Sequence, residues 1–170
     1  MGILTRFKDI MEANINALLD KAEDPEKMVD QYLRNLESDL GKVKAETAAV
    51  MADEAKAKRE LDSCKQEVDK YQAYAEKALK AGNESDARAF LEKKQSVARK
   101  LETLQQNYDL ATANATKMRE MHDKLVKDIN SLKERRDEIK AKANQAKAMQ
   151  EHNKIRNNVS DTSSAMAGLD

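Results

Sequence analysis

The sequence has few of the residues on which a compact globular core depends. Its 170 residues include one proline, four glycines, two phenylalanines and no tryptophan, and aromatic residues make up only 4%. Charged residues, by contrast, make up 36%. This composition is typical of long, solvent-bathed helices with a thin apolar seam, and it argues against an ordinary compact core.

Other absences limit the classes of function. The 31 basic and 31 acidic side chains cancel, so no net field attracts nucleic acid, and none is expected as a partner. The single cysteine, Cys64, excludes an internal disulfide and fits a reducing compartment. No apolar run reaches the roughly 18 residues of a membrane-spanning helix, and the first residues lack the layout of a secretory signal. A cytoplasmic location is therefore expected.

Apolar side chains recur in alternating steps of four and three residues from residue 26 to about 152. The pattern opens with Val29, Leu33, Leu36, Leu40 and Val43, and it closes with Met118, His122, Leu125, Ile129, Leu132, Arg136 and Ile139. Sustained 4-3 spacing predicts a coiled coil, because about 3.5 residues per turn keep one stripe facing a partner helix. A strand would need a period of two, which this stretch does not have.

A short break at residues 80–85 divides the pattern into two arms. Gly82 and Asn83 tolerate the backbone conformation that ends a helix, and a break this short makes the arms antiparallel neighbours. Pairing Ala78 with Ala87 also sets Leu36 opposite Ile129. We therefore predict an all-α fold, a long antiparallel coiled-coil helical hairpin over residues 24–155, with arms roughly 80 Å long.

Residues 1–23 form a separate amphipathic helix in this prediction. Its apolar face comprises Ile3, Leu4, Phe7, Ile10, Met11, Ile15, Leu18 and Leu19. One interpretation is that this face folds back onto the hairpin or a neighbouring subunit. The other is that it lies in a membrane interface, with Arg6 and Lys8 adding local positive charge. The second is favoured because the hairpin seam is already filled, which leaves the apolar face without a partner.

The joint between this helix and the hairpin is Glu23-Asp24-Pro25. Pro25 disfavours helical geometry at Asp24 but suits the first turn of a new helix, which Asp24 can cap. At the other end, the second arm overhangs its partner beyond Ile139 and keeps an apolar stripe as far as Ile155. That stripe is a candidate for contact between subunits, or it packs against the first helix. Residues 156–170 are predicted to be a polar linker and the start of a further helix.

No catalytic or metal site is predicted. His122 falls on the seam, and His152 has no cysteine or second histidine at metal-ligand spacing. Neither a phosphate-binding loop nor a dinucleotide-binding glycine motif is present. The chain is therefore not expected to be an enzyme or to carry a cofactor.

The opening Met-Gly-Ile-Leu-Thr-Arg-Phe-Lys-Asp-Ile, the run from Ala13 to Leu19 and Lys21-Ala22-Glu23-Asp24-Pro25 closely resemble the phage-shock protein A family. Gly82-Asn83 at the tip, followed by Asp86-Ala87-Arg88, matches as well. This family includes the vesicle-inducing protein of plastids and is regarded as a bacterial branch of the ESCRT-III superfamily. The resemblance covers essentially all 170 residues.

The resemblance implies a peripheral protein on the inner face of the bacterial cytoplasmic membrane. Members of the family assemble into large rings or helical rods and remodel anionic or stressed bilayers, with the first helix as the inserting element. Their chains continue past a length of 170 residues with further helices that pack across neighbouring hairpins. Some members also bind a transcriptional activator, so a regulatory protein is a further candidate partner.

Two functions remain open at this point. The favoured one is a self-assembling membrane scaffold that acts under envelope stress. The alternative is a soluble coiled-coil adaptor that sequesters a transcriptional regulator, with the first helix docked on the hairpin or on the partner.

Overall fold

The computed structural model describes residues 2–168, and within them every regular element is helical. A 3-10 turn, Ile3–Arg6, leads into two short helices, α1 (Phe7–Glu12) and α2 (Ile15–Asp20). The long helices α3 (Pro25–Lys80) and α4 (Glu84–Ala167) follow and pair with each other. The predicted helical hairpin preceded by short helical structure is thus confirmed.

Local capping interactions define where the long helices begin and end. Asp24 Oδ1 accepts a hydrogen bond from the Lys27 backbone N–H at 3.3 Å, which caps α3 one residue before Pro25. At the tip, Gly82 has a positive φ of 79° and the Asn83 N–H donates to the Ala78 carbonyl at 2.9 Å, which closes α3. Asn83 Oδ1 then accepts from the Asp86 N–H at 3.2 Å and caps α4.

The chain forms two compact units. The first combines the residues up to Met11 with Asp39–Lys124. Its core follows the predicted seam, with Val43, Leu61, Ala75, Ala87, Ala115 and Met118 all buried. The pairing register is close to the predicted one, since Lys94 Nζ donates to Gln72 Oε1 at 2.7 Å where the sequence places Lys94 opposite Tyr71. Cys64 is a buried, free thiol that donates to the Val97 carbonyl at 3.3 Å.

The second unit combines Glu12–Ser38 with the chain from Leu125 onward. Its core consists of Ile15, Leu19, Val29, Leu33, Leu36, Leu125, Ile129 and Leu132. Ion pairs at the edge of this core join Glu37 to Lys133 (4.0 Å) and Asp30 to Lys140 (3.7 Å). These pairs are exposed, so the apolar seam provides most of the stability of this unit.

Two predictions about the ends of the helices are wrong. The single helix predicted over residues 1–23 is broken at Ala13-Asn14, because the Asn14 side chain accepts from the Ala17 N–H at 3.1 Å and caps a new helix. The polar linker predicted from residue 156 is instead part of α4, which continues to Ala167. Extending a formed helix costs little even through asparagine and serine, and no proline or glycine interrupts 156–167. Leu169 and Asp170, at the end of the predicted further helix, lie outside the described residues.

The seam is wider around position 121 than predicted. His122 is partly exposed, with a side chain 44% exposed, and its neighbour Met121, which was not predicted on the seam, is fully buried. Buried Met118, Met121 and Leu125 form a wider face than a two-helix seam needs. This width is what a helix shows when it contacts more than one neighbour.

The glycines allow a test of the backbone assignments. Gly82→Ala should lower the free energy of unfolding by about 1–2 kcal/mol, because an alanine at positive φ is strained. Gly41→Ala is the matched control, since Gly41 lies within α3 with no atom within 4 Å of an added Cβ. It should raise that free energy by about 0.5–1 kcal/mol. Urea unfolding followed by circular dichroism measures both changes. A change of the same sign in the two variants would contradict the positive φ of Gly82 or the helical position of Gly41.

Candidate functional site

The amphipathic segment Ile3–Asp20 is the candidate functional site, and its apolar face is docked in both units. Ile3 and Ile10 are buried in the first unit, and Ile15 and Leu19 are buried in the second. The other members of the predicted face are less covered: Leu4, Phe7 and Met11 are half-buried and Leu18 is 47% exposed. The expectation of an apolar face without a partner is therefore wrong, because the hairpin surface covers half of its eight residues.

Polar contacts hold the beginning of the segment in the first unit. Arg6 Nη1 donates to Asp39 Oδ1 on α3, and Asp39 is only 3% exposed. Two turns further along α3, the Glu46 carboxylate accepts from the Ile3 N–H, with N···O distances of 3.1 and 3.3 Å. Both carboxylates lie on the same side of α3, because residues seven apart share a helical face. We call these two contacts the carboxylate latch.

Phe7 is approached by a lysine side chain of α4. The Lys117 Nζ is 5.4 Å from the centre of the Phe7 ring, a distance that allows a cation–π interaction. Such contacts are weak at a half-exposed ring, so they orient Phe7 more than they stabilise it.

A second set of polar contacts holds α2 in the second unit. Arg135 of α4 donates to the Asn16 carbonyl at 3.2 Å and to Asp20 Oδ1 at 2.6 Å. Ser131, one turn earlier, shares hydrogen bonds with the Asn16 side chain at 3.1 and 3.3 Å. Each unit therefore holds its own part of the segment through polar contacts and buried apolar residues.

The remaining predicted residues have simpler environments. Lys8 is exposed on the outer face, next to Arg6, which is committed to Asp39. Glu23 is exposed, Asp24 caps α3 and Pro25 is the first residue of that helix. The joint thus separates two independently capped helices and fixes where the segment ends.

A search of the described residues finds neither of two other kinds of site. Across positions 2–168, no group of histidine, cysteine, aspartate and glutamate side chains is arranged to hold a metal ion. Over the same positions, no helix is long and apolar enough to cross a membrane.

Comparison with known proteins identifies the group to which the sequence belongs. Residues 2–170 match the PspA/IM30 family. The chain is also 60% identical, over 169 residues, to a phage shock protein A homolog of Bacillus subtilis, covering 99% of this chain and 74% of the relative. The protein belongs to the PspA/IM30 family. The resemblance noted in the sequence is therefore confirmed.

Two more distant relatives are named membrane-associated proteins. The chain is 28% identical to the membrane-associated protein Vipp1 of Nostoc punctiforme over 170 residues, all of this chain and 66% of the relative. It is 31% identical to the membrane-associated protein Vipp1 of Synechocystis over 151 residues, covering 87% of this chain and 53% of the relative. The chain thus spans between about half and three quarters of these relatives. Members of the PspA/IM30 family are non-enzymatic structural or regulatory proteins, in agreement with the expectation for this chain.

Sequence reasoning missed the residues that receive the segment. Asp39, Glu46, Lys117 and Arg135 lie beside the seam, where a charged side chain is normally read as part of a solvated face. None of the four offers a signal in the sequence, and Asp39, for example, is 33 residues away from its partner Arg6. A contact of that separation has no periodic trace, so it is visible only in the folded chain.

The carboxylate latch predicts how the segment is held. Arg6→Ala leaves the buried Asp39 carboxylate without its cation, so the segment should open more often. Amide hydrogen exchange within residues 3–11 should accelerate roughly tenfold to a hundredfold, the equivalent of one charge-assisted hydrogen bond. Lys8→Ala, which removes an exposed cation from the same turn, is the control and should leave exchange unchanged. Equal exchange rates in the two variants would contradict the role of Asp39.

Proposed function

We propose that this protein is a peripheral membrane-binding, self-assembling scaffold that maintains or remodels the cytoplasmic membrane under envelope stress. The observation that carries the proposal is the amphipathic Ile3–Asp20 segment, whose second helix has its own caps at Asn14 and Lys21 and which ends before α3 begins at Pro25. Membership of the PspA/IM30 family and relatives named membrane-associated support the membrane-associated stress role in general terms. Anionic phospholipid is the proposed ligand, and the inner face of the membrane is the proposed location.

In this proposal the apolar residues of the segment are buried either on the hairpin or in a bilayer. Docked on the hairpin, its four buried residues each gain about 1.5–3 kcal/mol from burial. A bilayer offers the same burial to those four and adds it for Leu4, Phe7, Met11 and Leu18, which the hairpin covers only in part. The membrane therefore competes effectively with the hairpin for this face.

The polar contacts oppose the transfer of the segment from the hairpin to the membrane, so the transfer requires an anionic surface. Undocking separates Arg6 from the buried Asp39, which costs about 1.5–3 kcal/mol. It also separates Arg135 from Asp20, a more exposed pair whose loss costs less than about 1 kcal/mol. An anionic headgroup offers Arg6 a replacement partner, and Lys8 is already exposed to meet a second. In this mechanism the segment is closed in water and opens onto an anionic surface.

Self-assembly into rods or rings is the second part of the proposal. It is supported by the part of α4 beyond its pairing with α3, where Met149, Ile155 and Val159 are each more than 60% exposed. Apolar side chains this exposed along one helix are typical of a surface that another chain covers.

The adaptor function remains the alternative, and one observation favours it. The docked segment with a half-buried Phe7 is the arrangement expected of an adaptor whose first helix packs on its own hairpin. A transcriptional regulator would then be the partner, bound in a stoichiometric complex without lipid. Vesicle binding by the isolated chain separates the two functions.

The proposed inserting residues are tested with vesicles of phosphatidylglycerol and phosphatidylcholine. Deletion of residues 1–23, or the double change Leu4→Asp and Phe7→Asp, should abolish co-sedimentation, because a carboxylate cannot enter the acyl region. Helicity by circular dichroism should persist, since α3 and α4 contain most of the helix. Leu79→Asp, at a residue 62% exposed near the hairpin tip, is the control and should bind normally. Binding by the deletion variant would overturn the membrane-anchor role.

The closed form is tested by weakening the latch without altering the segment. Asp39→Asn removes the buried charge that holds Arg6, so undocking becomes easier and the affinity for anionic vesicles should rise by roughly tenfold. Asp62→Asn makes the same change at an exposed position of α3 and should leave the affinity unchanged. Lower affinity in Asp39→Asn would show that the docked form is the membrane-competent one.

A further inference from the structure

The last part of α4 carries a second apolar stripe that does not belong to the hairpin seam. It consists of the apolar residues Ala148, Ile155, Val159 and Met166, with His152 and Thr162 at the two remaining positions, and the six follow one another in steps of four, three, four, three and four. All six are exposed, and Ile155, Val159 and Met166 are 63%, 63% and 69% exposed. We call this set the distal seam.

The spacing of the distal seam indicates what kind of surface covers it. Continuing the hairpin seam from Ile139 in the same steps leads to Ala143, Ala146, Gln150 and Asn153, and therefore away from these residues. A stripe of strict 4-3 spacing is narrow, and it matches a single partner helix. A membrane interface would instead favour a wide apolar face, as on the Ile3–Asp20 segment.

The charged residues beside the distal seam indicate which helix is its partner. In a heptad where Ile155 occupies position d and Val159 position a, Glu151 occupies position g and Arg156 the following position e. In a parallel pair, g of one helix meets e of the next heptad on the other, five residues later. Glu151 of one copy then meets Arg156 of a second copy, twice by symmetry, and Asn158 meets Ser163 in the same way.

The opposite orientation does not make these pairs. In an antiparallel pair, e positions face e and g positions face g, and within 148–166 the only charged residue at e is Arg156 and the only one at g is Glu151. No opposite charges can then meet across the seam. A second copy in parallel orientation is therefore the partner that both the spacing and the charges fit.

We propose that the distal seam pairs in parallel and in register with the distal seam of a second copy of this chain, fixed by reciprocal Glu151–Arg156 ion pairs. This pairing deepens the self-assembly part of the proposed function and rests on it. It assigns one contact of the assembly to α4 alone, so neither the Ile3–Asp20 segment nor the hairpin tip is needed for it.

Site-specific cross-linking tests the pairing. In a Cys64→Ala background of the full 170-residue chain, Ile155→Cys places a thiol at position d, where equivalent residues of a parallel pair meet at disulfide distance. Mild oxidation in the absence of lipid should cross-link it into a covalent dimer. Asn157→Cys, on the outer face of the same turn, is the matched control and should remain uncross-linked. Equal yields at the two positions, or none at position 155, would overturn the proposal.

Charge reversal tests the partner and its orientation. In the Ile155→Cys chain, Glu151→Arg and Arg156→Glu should each lower the cross-linking yield, since each creates two like-charge pairs and weakens association about tenfold. The double variant Glu151→Arg with Arg156→Glu restores opposite charges between copies and should recover the yield. Lys154→Glu reverses a charge off the seam and should have no effect. Failure of the double variant to recover the yield would exclude the parallel register.

These readouts separate this inference from the function on which it rests. Electron microscopy of assemblies and vesicle co-sedimentation are measured on the same variants. Assemblies that form without a cross-link at position 155 would overturn the pairing of the distal seam and agree with the scaffold function. A cross-link in a chain that neither assembles further nor binds vesicles would overturn the scaffold function and agree with the pairing of the distal seam.

Discussion

Every feature of the protein depends on the narrow apolar seam between α3 and α4. A 4-3 stripe buries only about two residues in seven, so most of each helix remains available for other contacts. The seam gains enough from burying residues such as Val43, Leu125 and Leu132 to keep two highly charged helices paired. Because it uses so little of each helix, the surface that receives the amphipathic segment lies on the same two helices without disturbing it.

The amphipathic segment is positioned by interactions of two different strengths and ranges. Apolar burial of residues such as Ile10 and Leu19 is indifferent to whether the covering surface is protein or lipid. The contacts of Arg6 with Asp39 and of Arg135 with Asp20 are specific to the hairpin. Apolar burial alone therefore does not fix the position of the segment, and the ion pairs make that position specific to the hairpin. In the proposed function, an anionic surface competes for those same charged contacts.

Much of the fold followed from local features of the sequence. The period of 3.5, the cap at Asp24 before Pro25 and the turn at Gly82-Asn83 are encoded by residues within a few positions of one another. The break at Asn14 has the same kind of local signal, an asparagine that caps the next helix, but the amphipathic pattern on both sides conceals it. The continuation of α4 beyond Arg156 was missed because polar residues weaken a helix without ending it.

The sequence by itself determined the all-α class, the hairpin with its register and tip, and an amphipathic segment at the start. Tertiary structure alone decided that this segment is docked, that Asp39 is buried against Arg6, and that Met121 lies in the core beside the partly exposed His122. The physical reason is the separation of the partners along the chain. Periodicity records which face of a helix is apolar, whereas a charged residue becomes a partner only when folding brings a distant opposite charge to it.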